Sequence, residues 1–552
     1  ISYGSFNTRM LDLGIDSGMF GFGKSKKSNL LIDVHQLLSD GYQTYNHQKR
    51  IAGSGKYQYQ VTPNTTITLF TGIVDLWTNT PNTKGPTRAQ VDQFGPNYLM
   101  TGDPSMPNYY GYNFYHVQSE FSYIGVTSNL GHGWRLDNKT YQYRYWNKQN
   151  YNGTTITATS GVDKLNGYNK FGDVLSAVKD LRWGTFRTGV WYEWAYTDRY
   201  QIPSDPRTWV NTPFGNFHEH FITQSWQPFA EYEFRATSRL SITAGVKYAQ
   251  YNMHLNQFAD NGKTIGCPGG KIVSSVCVGG VAFVTHDGIY HSWLPSIDAR
   301  YRLKRNWTAY AQFGEGSVVP PSSVFDVKNA EVSVLPRPTM AKTYQMGSVL
   351  KFSRWTLDLD AYYIHFQNPY VSTPDPNNGN EPIYYLPGPS NTKGIEAESN
   401  FVVGHGLSLY LNGTMGAAKY QNTSWWVASA PRNTATVGVS YQRKSWDLGF
   451  FNKRIGSMWN DNGGRNQAIP IDAFNVTNAF INYTMKDRSL FRGSKLALSV
   501  NNLFDQHSIY GVTAATAATA GVAYAQSPND QLLMLPGRSV MLTLTAGFAP
   551  RR

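Results

Sequence analysis

The chain has 552 residues and a formal net charge of +13, with 14% aromatic and 15% charged residues. No segment approaches the ~20 consecutive apolar residues of a membrane-spanning helix, and the lysines and arginines are scattered, without the basic runs typical of nucleic-acid binding. Abundant aromatic and polar residues without apolar blocks are typical of a membrane β-barrel, which has one lipid face and one lumen face.

Apolar and polar residues alternate with a period of two along much of the chain. Clear examples lie at 240–248, 355–363, 407–412 and 540–548. In the first of these, Leu240, Ile242 and Val246 alternate with polar or small residues. This alternation predicts β-strands with one apolar and one polar face, and we expect the apolar face to meet lipid.

Tight turns and long connections alternate between the predicted strands. The turns lie at 62–65, 130–133, 237–238, 304–306, 353–354, 403–406 and 443–445, and examples of the long connections are 79–119, 254–290, 317–339 and 509–535. An outer-membrane barrel has this asymmetry because its periplasmic turns are short and its extracellular loops long. The sequence therefore predicts an all-β, closed antiparallel membrane-spanning barrel of about 22 strands. No helix of consequence is predicted, and the Ala- and Thr-rich segment 513–525 is interpreted as part of the last loop.

The two cysteines, Cys267 and Cys277, lie close together in a Gly-rich segment of one long connection. We predict a disulfide between them in an extracellular loop, which implies an oxidising compartment. A metal-binding pair is disfavoured because no histidine or second cysteine pair lies nearby.

The usual enzyme motifs are absent: there is no GxxxxGK[ST], HExxH, GxSxG or CxxC. We therefore expect no enzyme activity and no cofactor. His218 and His220, with Glu219 between them, form the tightest histidine cluster. In a strand this spacing places both imidazoles on one face, as in a partial metal site. The sequence favours the alternative, a polar loop stem without a metal.

Aromatic clusters in the long connections are candidates for ligand contact. Tyr109, Tyr110 and Tyr112 lie in an early connection, and Tyr384 and Tyr385 in a later one. Tyrosine offers a rigid contact face with a polar tip, which suits a ligand clamp. Packing within the loops, or the aromatic girdle at the membrane surface, are the alternatives.

Loop cations are the second group of candidates. Arg207, close to Trp209, and Arg337 between two prolines could each present a guanidinium fork to carboxylate or phosphate oxygens. The alternative is that each is a solvated loop residue.

Several segments, in order along the chain, resemble the TonB-dependent outer-membrane receptors. Leu498–Asp505 contains an "NLFD" ending, 536–540 begins with "PGR", and 392–398 matches a "KGxExE" strand. The opening 1–6 and the segments 341–347 and 360–368 resemble further barrel strands of the same family.

The resemblance implies energy-coupled import of a scarce nutrient, most often a ferric siderophore, across the outer membrane of a Gram-negative bacterium. It also implies contact with outer-membrane lipid and lipopolysaccharide, and a periplasmic TonB complex that acts through a plug domain. We assign residues 1–552 to the barrel domain, with the N-terminal plug domain absent from this chain. A passive porin-like channel and an adhesin or phage-docking protein are the alternatives. In the favoured case the long loops form an extracellular cup for an anionic iron chelate.

Overall fold

The computed structural model describes residues 1–21, 26–81, 85–213, 215–260, 271–274, 276–278, 284–320, 324, 336–374, 382–460, 469–486, 493–516 and 524–547. Of residues 260, 272, 276–277, 284, 372–374 and 382–385 only the backbone is described.

The described residues form thirty strands and one short helix. The strands are β1 (Ser2–Gly4), β2 (Thr8–Asp16), β3 (Ser28–Ser39), β4 (Gln48–Thr62), β5 (Thr65–Asn79), β6 (Phe114–Gly131), β7 (Trp134–Tyr151), β8 (Gly161–Leu181), β9 (Gly184–Ser204), β10 (Phe217–Arg235), β11 (Leu240–Asp260), β12 (Lys271–Val273), β13 (Val276–Val278), β14 (Val284–Lys304), β15 (Trp307–Val318), β16 (Thr339–Lys351), β17 (Trp355–Gln367), β18 (Val371–Pro374), β19 (Pro382–Tyr385), β20 (Ser390–Gly404), β21 (Leu407–Tyr420), β22 (Asn433–Arg443), β23 (Trp446–Ile455), β24 (Met458–Trp459), β25 (Pro470–Ile471), β26 (Phe474–Thr484), β27 (Lys495–Asn501), β28 (Ile509–Thr513), β29 (Gln531–Met534) and β30 (Ser539–Thr545). The helix is α1 (Arg88–Phe94).

Twenty-two of these strands form one closed antiparallel barrel, and the other eight pair as four short hairpins in the loops. The ends of the chain close the barrel: Ser2 in β1 pairs with Met10 on one side and with Thr543 on the other. Closure leaves no strand edge with unpaired backbone groups, as a sheet in hydrocarbon requires. The predicted fold and strand number are confirmed.

Alternation along the strands separates a lipid face from a lumen face. The apolar row of 240–248 lies on one face of β11, where Val246 is 41% exposed. On the neighbouring strand β10, the residues that pair with this apolar row alternate with Glu231 and Glu233. The two glutamates therefore point to the other face of the sheet. Both form ion pairs with Arg187, at 2.5 and 3.3 Å. The charged face is therefore the lumen face and the apolar face meets lipid.

One part of the lipid face is more polar than this pattern predicts. Thr140 on β7 and Asp173 on β8 pair in register on the outer face. Asp173 accepts hydrogen bonds from the Thr140 hydroxyl (2.7 Å) and the Asn138 amide (2.9 Å). These bonds offset part of the cost of removing a carboxylate from water.

The tight turns lie at one end of the barrel, here called the turn rim, and the long connections at the other, the loop rim. Between β6 and β7 the turn is so short that Gly131, His132 and Gly133 all have positive φ, at 84°, 50° and 81°. Glycine adopts this conformation without a Cβ clash, which explains the Gly-His-Gly sequence.

The long connections contain structure that the sequence analysis did not predict. Helix α1 begins at Thr87, whose hydroxyl accepts from the Gln90 backbone while the Gln90 side chain accepts from the Thr87 backbone. It is only seven residues long, and no helix among the described residues could cross a membrane. Part of 509–535, interpreted as loop, is the hairpin of β28 and β29. Cys267 and the Cys277 side chain lie outside the described residues, so their disulfide stays a prediction.

Candidate functional site

The residues singled out in the sequence all lie at the loop rim. They occupy four connections: Tyr109, Tyr110 and Tyr112 between β5 and β6, Arg207 and Trp209 between β9 and β10, Arg337 between β15 and β16, and Tyr384 and Tyr385 in strand β19 between β17 and β20. The side chains of the last two lie outside the described residues. An even number of barrel strands separates these connections, which is why they share one rim.

Tyr109 and Tyr110 form an aromatic surface with a third tyrosine that the sequence analysis did not select. The Tyr110 ring stacks on Tyr45 at 5.1 Å, with 17° between the planes, and meets the Tyr109 ring edge-on at 5.3 Å. Thr44 lies beside Tyr45 in the connection between β3 and β4. It joins this connection to the one between β5 and β6, because its hydroxyl donates to the Met100 carbonyl at 2.8 Å. Tyr109 and Tyr110 are partly exposed, so their rings and hydroxyls are accessible to a ligand.

Tyr112 and Trp209 are brought together, but in a packed arrangement on the outer side of the rim. Trp209 meets Tyr112 edge-on at 5.3 Å and stacks on Phe114 at 5.8 Å, and Phe114 stacks on Trp77 at 4.3 Å. Tyr112 is 2% exposed, whereas Trp209 is 51% exposed and has a positive φ of 63°. The geometry shows loop packing for Tyr112, and ligand contact by either residue stays a prediction.

Arg207 and Arg337 are both exposed. The Arg207 backbone N–H donates to the Asp205 carboxylate at 2.8 Å, and the Arg337 carbonyl accepts from the Tyr370 hydroxyl at 2.6 Å. Neither guanidinium forms an ion pair with a carboxylate in the part of the chain that the structure describes. Both planar forks are therefore available to anionic oxygens.

The loops are held together by a small apolar core of their own. Ile469, Ile471, Val512 and Leu532 are all buried, and Val91 of α1 packs against them. These residues come from three different connections, between β5 and β6, β23 and β26, and β27 and β30. These three connections therefore form a packed loop cap rather than independent loops.

Asp530 joins two of these connections through its carboxylate, which is 1% exposed. It accepts hydrogen bonds from the backbone N–H groups of Ala515 (2.9 Å) and Ser527 (2.8 Å), from the Tyr524 hydroxyl, and from Arg88 of α1 (3.4 Å). Burial alone would raise the pKa of Asp530, but these four donors outweigh burial and hold the pKa below its usual range.

Below the loop rim, the lumen wall carries a tyrosine-rich cavity of about 420 Å³. Tyr168, Tyr251 and Tyr290 line it together with Lys170 and Glu193, which form an ion pair at 2.9 Å. The sequence analysis missed this group because its members lie on four separate strands. A usable signal was present on the neighbouring strand β7, where three tyrosines at period two, 141, 143 and 145, share the lumen face.

His218 and His220 lie on one face of β10, as their spacing predicts, and Glu219 faces the lumen. Asp198 on β9 pairs in register with His220. Its Oδ1 lies 3.3 Å from the Nε2 atom of each imidazole. The sequence analysis missed Asp198, which is distant in the chain and reaches the histidines only through strand pairing.

A family model described as "TonB dependent receptor-like, beta-barrel" matches residues 36–503. No curated protein sequence matches the chain. Similar solved structures include the ferric yersiniabactin uptake receptor FyuA from Yersinia pestis, with a TM-score of 0.74 and 12% identity over 98% of this chain and 78% of that one. The unliganded ferric citrate transporter FecA has a TM-score of 0.73 and 14% identity over 98% and 77% of the two chains. The siderophore receptor PiuA from Acinetobacter baumannii has a TM-score of 0.73 and 14% identity over 98% and 80%. At these identities the solved structures show a shared fold.

Proposed function

The chain belongs to the TonB-dependent receptor family, which comprises outer-membrane transport receptors rather than enzymes, and from this premise we propose that it imports an anionic iron chelate such as a ferric siderophore. The chelate binds first at the loop rim and then passes into the lumen. Its further partners are a periplasmic TonB complex, reached through a plug domain, and the surrounding lipopolysaccharide.

The two exposed loop arginines are the observation that carries the proposal. Arg207 and Arg337 lie on one rim, and neither is neutralised by a described carboxylate. A guanidinium that is already paired with a carboxylate adds little to the binding of an incoming anion. A guanidinium without such a partner can form two parallel hydrogen bonds with carboxylate or catecholate oxygens. The net charge of +13 also favours the approach of an anion.

Tyrosines supply the second part of the proposed path. Tyr109 and Tyr110 offer partly exposed rings at the rim, and Tyr168, Tyr251 and Tyr290 line the lumen cavity below. Stacking faces with hydroxyl donors suit an aromatic or hydroxylated chelate. Trp209, Tyr112, Tyr384 and Tyr385 belong to the same proposal as secondary contacts of the loop rim. The names of the similar structures, which include ferric chelate and siderophore receptors, support this class of ligand.

Replacing both Arg207 and Arg337 with alanine in the full-length receptor tests the proposal. Binding of ferric citrate and of a ferric catecholate to the purified receptor is measured by calorimetry. At least one of the two chelates is expected to bind the native receptor and to bind the double variant tenfold or more weakly, equivalent to about 1.4 kcal/mol.

The matched control replaces Arg305 and Arg354, two exposed arginines in turns at the opposite rim. This control removes the same net charge without touching the loops, so its affinity should stay unchanged. Equal losses of affinity in both double variants would mean that the arginines act only through net charge, which would contradict a specific site at the loop rim. Unchanged affinity for every anionic chelate would exclude the two loop arginines from the site.

The alternatives predict different transport behaviour. A receptor driven through TonB stops taking up chelate when the proton gradient across the cytoplasmic membrane is collapsed. A passive porin continues to let the chelate diffuse across the outer membrane. An adhesin or phage-docking protein gives no chelate uptake in either condition. Chelate uptake measured in iron-limited cells that express the full-length receptor, with and without the proton gradient, distinguishes these three functions.

A further inference from the structure

The Asp198, His218 and His220 cluster lies on the outer wall of the barrel, away from the lumen. On β10 the two histidines share a face with Trp226, which is 48% exposed, and on β9 Asp198 shares a face with Tyr192, which is 41% exposed. These two aromatic residues belong to the lipid face. The cluster is therefore separate from the path along which the proposed chelate travels.

The cluster also lies above the lipid. His220 is fifteen residues from Arg235 at the turn end of β10. For a strand tilted by ~40° and rising ~3.3 Å per residue, this is roughly 35–40 Å along the barrel axis, more than the ~25 Å apolar band of such barrels. The three side chains are only 28–36% exposed, but water and ions can reach them.

We propose that Asp198, His218 and His220 form a transition-metal site that takes Zn²⁺ and clamps β9 to β10 at the base of the connection 205–216. Two imidazoles and one carboxylate are the ligand set of many three-ligand zinc sites, which keep a fourth position for water or an external donor. The connection that is clamped carries Arg207 and Trp209, so the bound ion would stiffen one side of the loop rim.

The distances within the cluster are those expected around a coordinated ion, although the His218 Nε2 to Asp198 Oδ1 contact also meets the criteria of a hydrogen bond in the absence of an ion. A charge-assisted N–H to carboxylate bond usually spans ~2.7–2.9 Å. Here both His Nε2 to Asp198 Oδ1 distances are 3.3 Å, and all three ligand atoms lie within 4.8 Å of one another. In a tetrahedral site with metal–ligand bonds of ~2.0–2.1 Å, neighbouring ligand atoms are ~3.3 Å apart. The two histidine–aspartate distances thus match those between neighbouring ligands of a bound ion.

Aromatic side chains restrict the two imidazoles. The Phe258 ring lies 4.6 Å from the His220 ring and 5.1 Å from the His218 ring, and Tyr200 packs edge-on against His218 at 5.8 Å. Rings held in this way lose little conformational freedom when they coordinate an ion, which favours binding.

Zinc binding to the full chain tests the site directly. The untagged protein, refolded in detergent without lipopolysaccharide so that lipid-bound cations do not contribute, is titrated with ZnCl₂ by calorimetry and with Co²⁺ by visible absorption. We expect one ion per chain and the intense bands of tetrahedral cobalt. His218→Ala, His220→Ala and Asp198→Asn should each weaken zinc binding tenfold or more.

His254→Ala is the matched control. His254 on β11 also lies on the outer face of the barrel and contacts a carboxylate, Asp287, at 2.8 Å. Among the described residues it belongs to no group of three potential metal ligands. This variant should bind zinc like the native protein, and the retarded gel migration of unheated, folded barrels should match in all variants. Native protein that binds no more zinc than the His218→Ala/His220→Ala double variant, or an equal loss in His254→Ala, would overturn the site.

Discussion

Replacing Asp530 with asparagine should loosen the packed loop cap while leaving the barrel intact. The two carboxylate oxygens of Asp530 have different partners. Oδ1 accepts from the Ala515 N–H, whereas Oδ2 accepts from the Ser527 N–H, the Tyr524 hydroxyl and Arg88. Asparagine keeps one acceptor oxygen and replaces the other with a donor. If the oxygen stays with Ala515, the other three donors face an amide N–H group.

The cost can be estimated from the contacts that are lost. A hydrogen bond to a charged group contributes ~1.5–3 kcal/mol. The Tyr524 hydroxyl can rotate to accept from the new amide, and Arg88, whose side chain is 18% exposed, can reach water. The Ser527 N–H and the lost charge interaction then remain, so we expect a local destabilisation of about 2–4 kcal/mol. This corresponds to a 30-fold to several-hundredfold increase in local opening, because ~1.4 kcal/mol is a factor of ten.

Hydrogen exchange measured by mass spectrometry, on protein in detergent, reports this opening by segment. Amides of 524–534 and of α1 should exchange faster by that factor, and amides of β8 and β9 should not change. The control is Asp103→Asn, because Asp103 is exposed and, among the described residues, its carboxylate accepts only from the backbone N–H and the hydroxyl of Ser105, at 2.9 and 2.8 Å. If exchange in 524–534 is the same in native protein and Asp530→Asn, the carboxylate does not hold the cap.

The pKa of Asp530 is lowered in the folded protein, so its stabilisation is complete above the unfolded value of ~3.9 and is lost as pH falls through the lower folded value. The protection of amides in 524–534, corrected for the pH dependence of intrinsic exchange, should therefore fall only in acid. Ser2→Cys with Thr543→Cys should form a disulfide, because their hydroxyl oxygens lie 2.9 Å apart across the closing strands; no bond in the oxidised, folded protein would contradict closure. Gly161→Ala should destabilise the packing between loops by about 1–3 kcal/mol, since the new Cβ would lie 2.6 Å from the Tyr112 hydroxyl oxygen and 2.9 Å from the Ser204 carbonyl oxygen. Proteolysis of the connection 152–160 should therefore be faster in this variant. Adding Tyr112→Ala should partly restore resistance to the protease.

The barrel was predictable from the sequence because its two constraints are local. Alternation such as that of 240–248 assigns the faces of a strand, and short turns such as 130–133 fix the order of neighbouring strands. Since neighbours in this barrel are also neighbours in the chain, the whole topology follows from these local patterns. Strand ends were less predictable: β11 and β14 have 21 residues each and continue into the segment 254–290, which was interpreted as a long connection.

The loop cap was less predictable because its contacts join segments that are far apart in the chain. Helix α1 carries a capping box, Thr87 with Gln90, that is readable in the sequence. A seven-residue helix without strong apolar periodicity is nevertheless stable only through tertiary contacts, here with Leu532 and its neighbours. Arg88 and Asp530 are 442 positions apart, and nothing local in either segment indicates that they meet.

Asp198 could not be predicted as a ligand from the local sequence. Only strand register brings it next to the two histidines. The spacing of His218 and His220 determines that both imidazoles share a face, but a third ligand must come from a neighbouring strand. Which residue of β9 faces His220 is set by the register of the two strands, which pair without a break from Phe217 with Gln201 to Phe234 with Gly184, and Asp198 is the residue in register. A shift of one residue would place Thr197 or Arg199 there, and the carboxylate would point into the lumen. The proposed zinc site therefore depends on strand register as well as on the spacing of the two histidines.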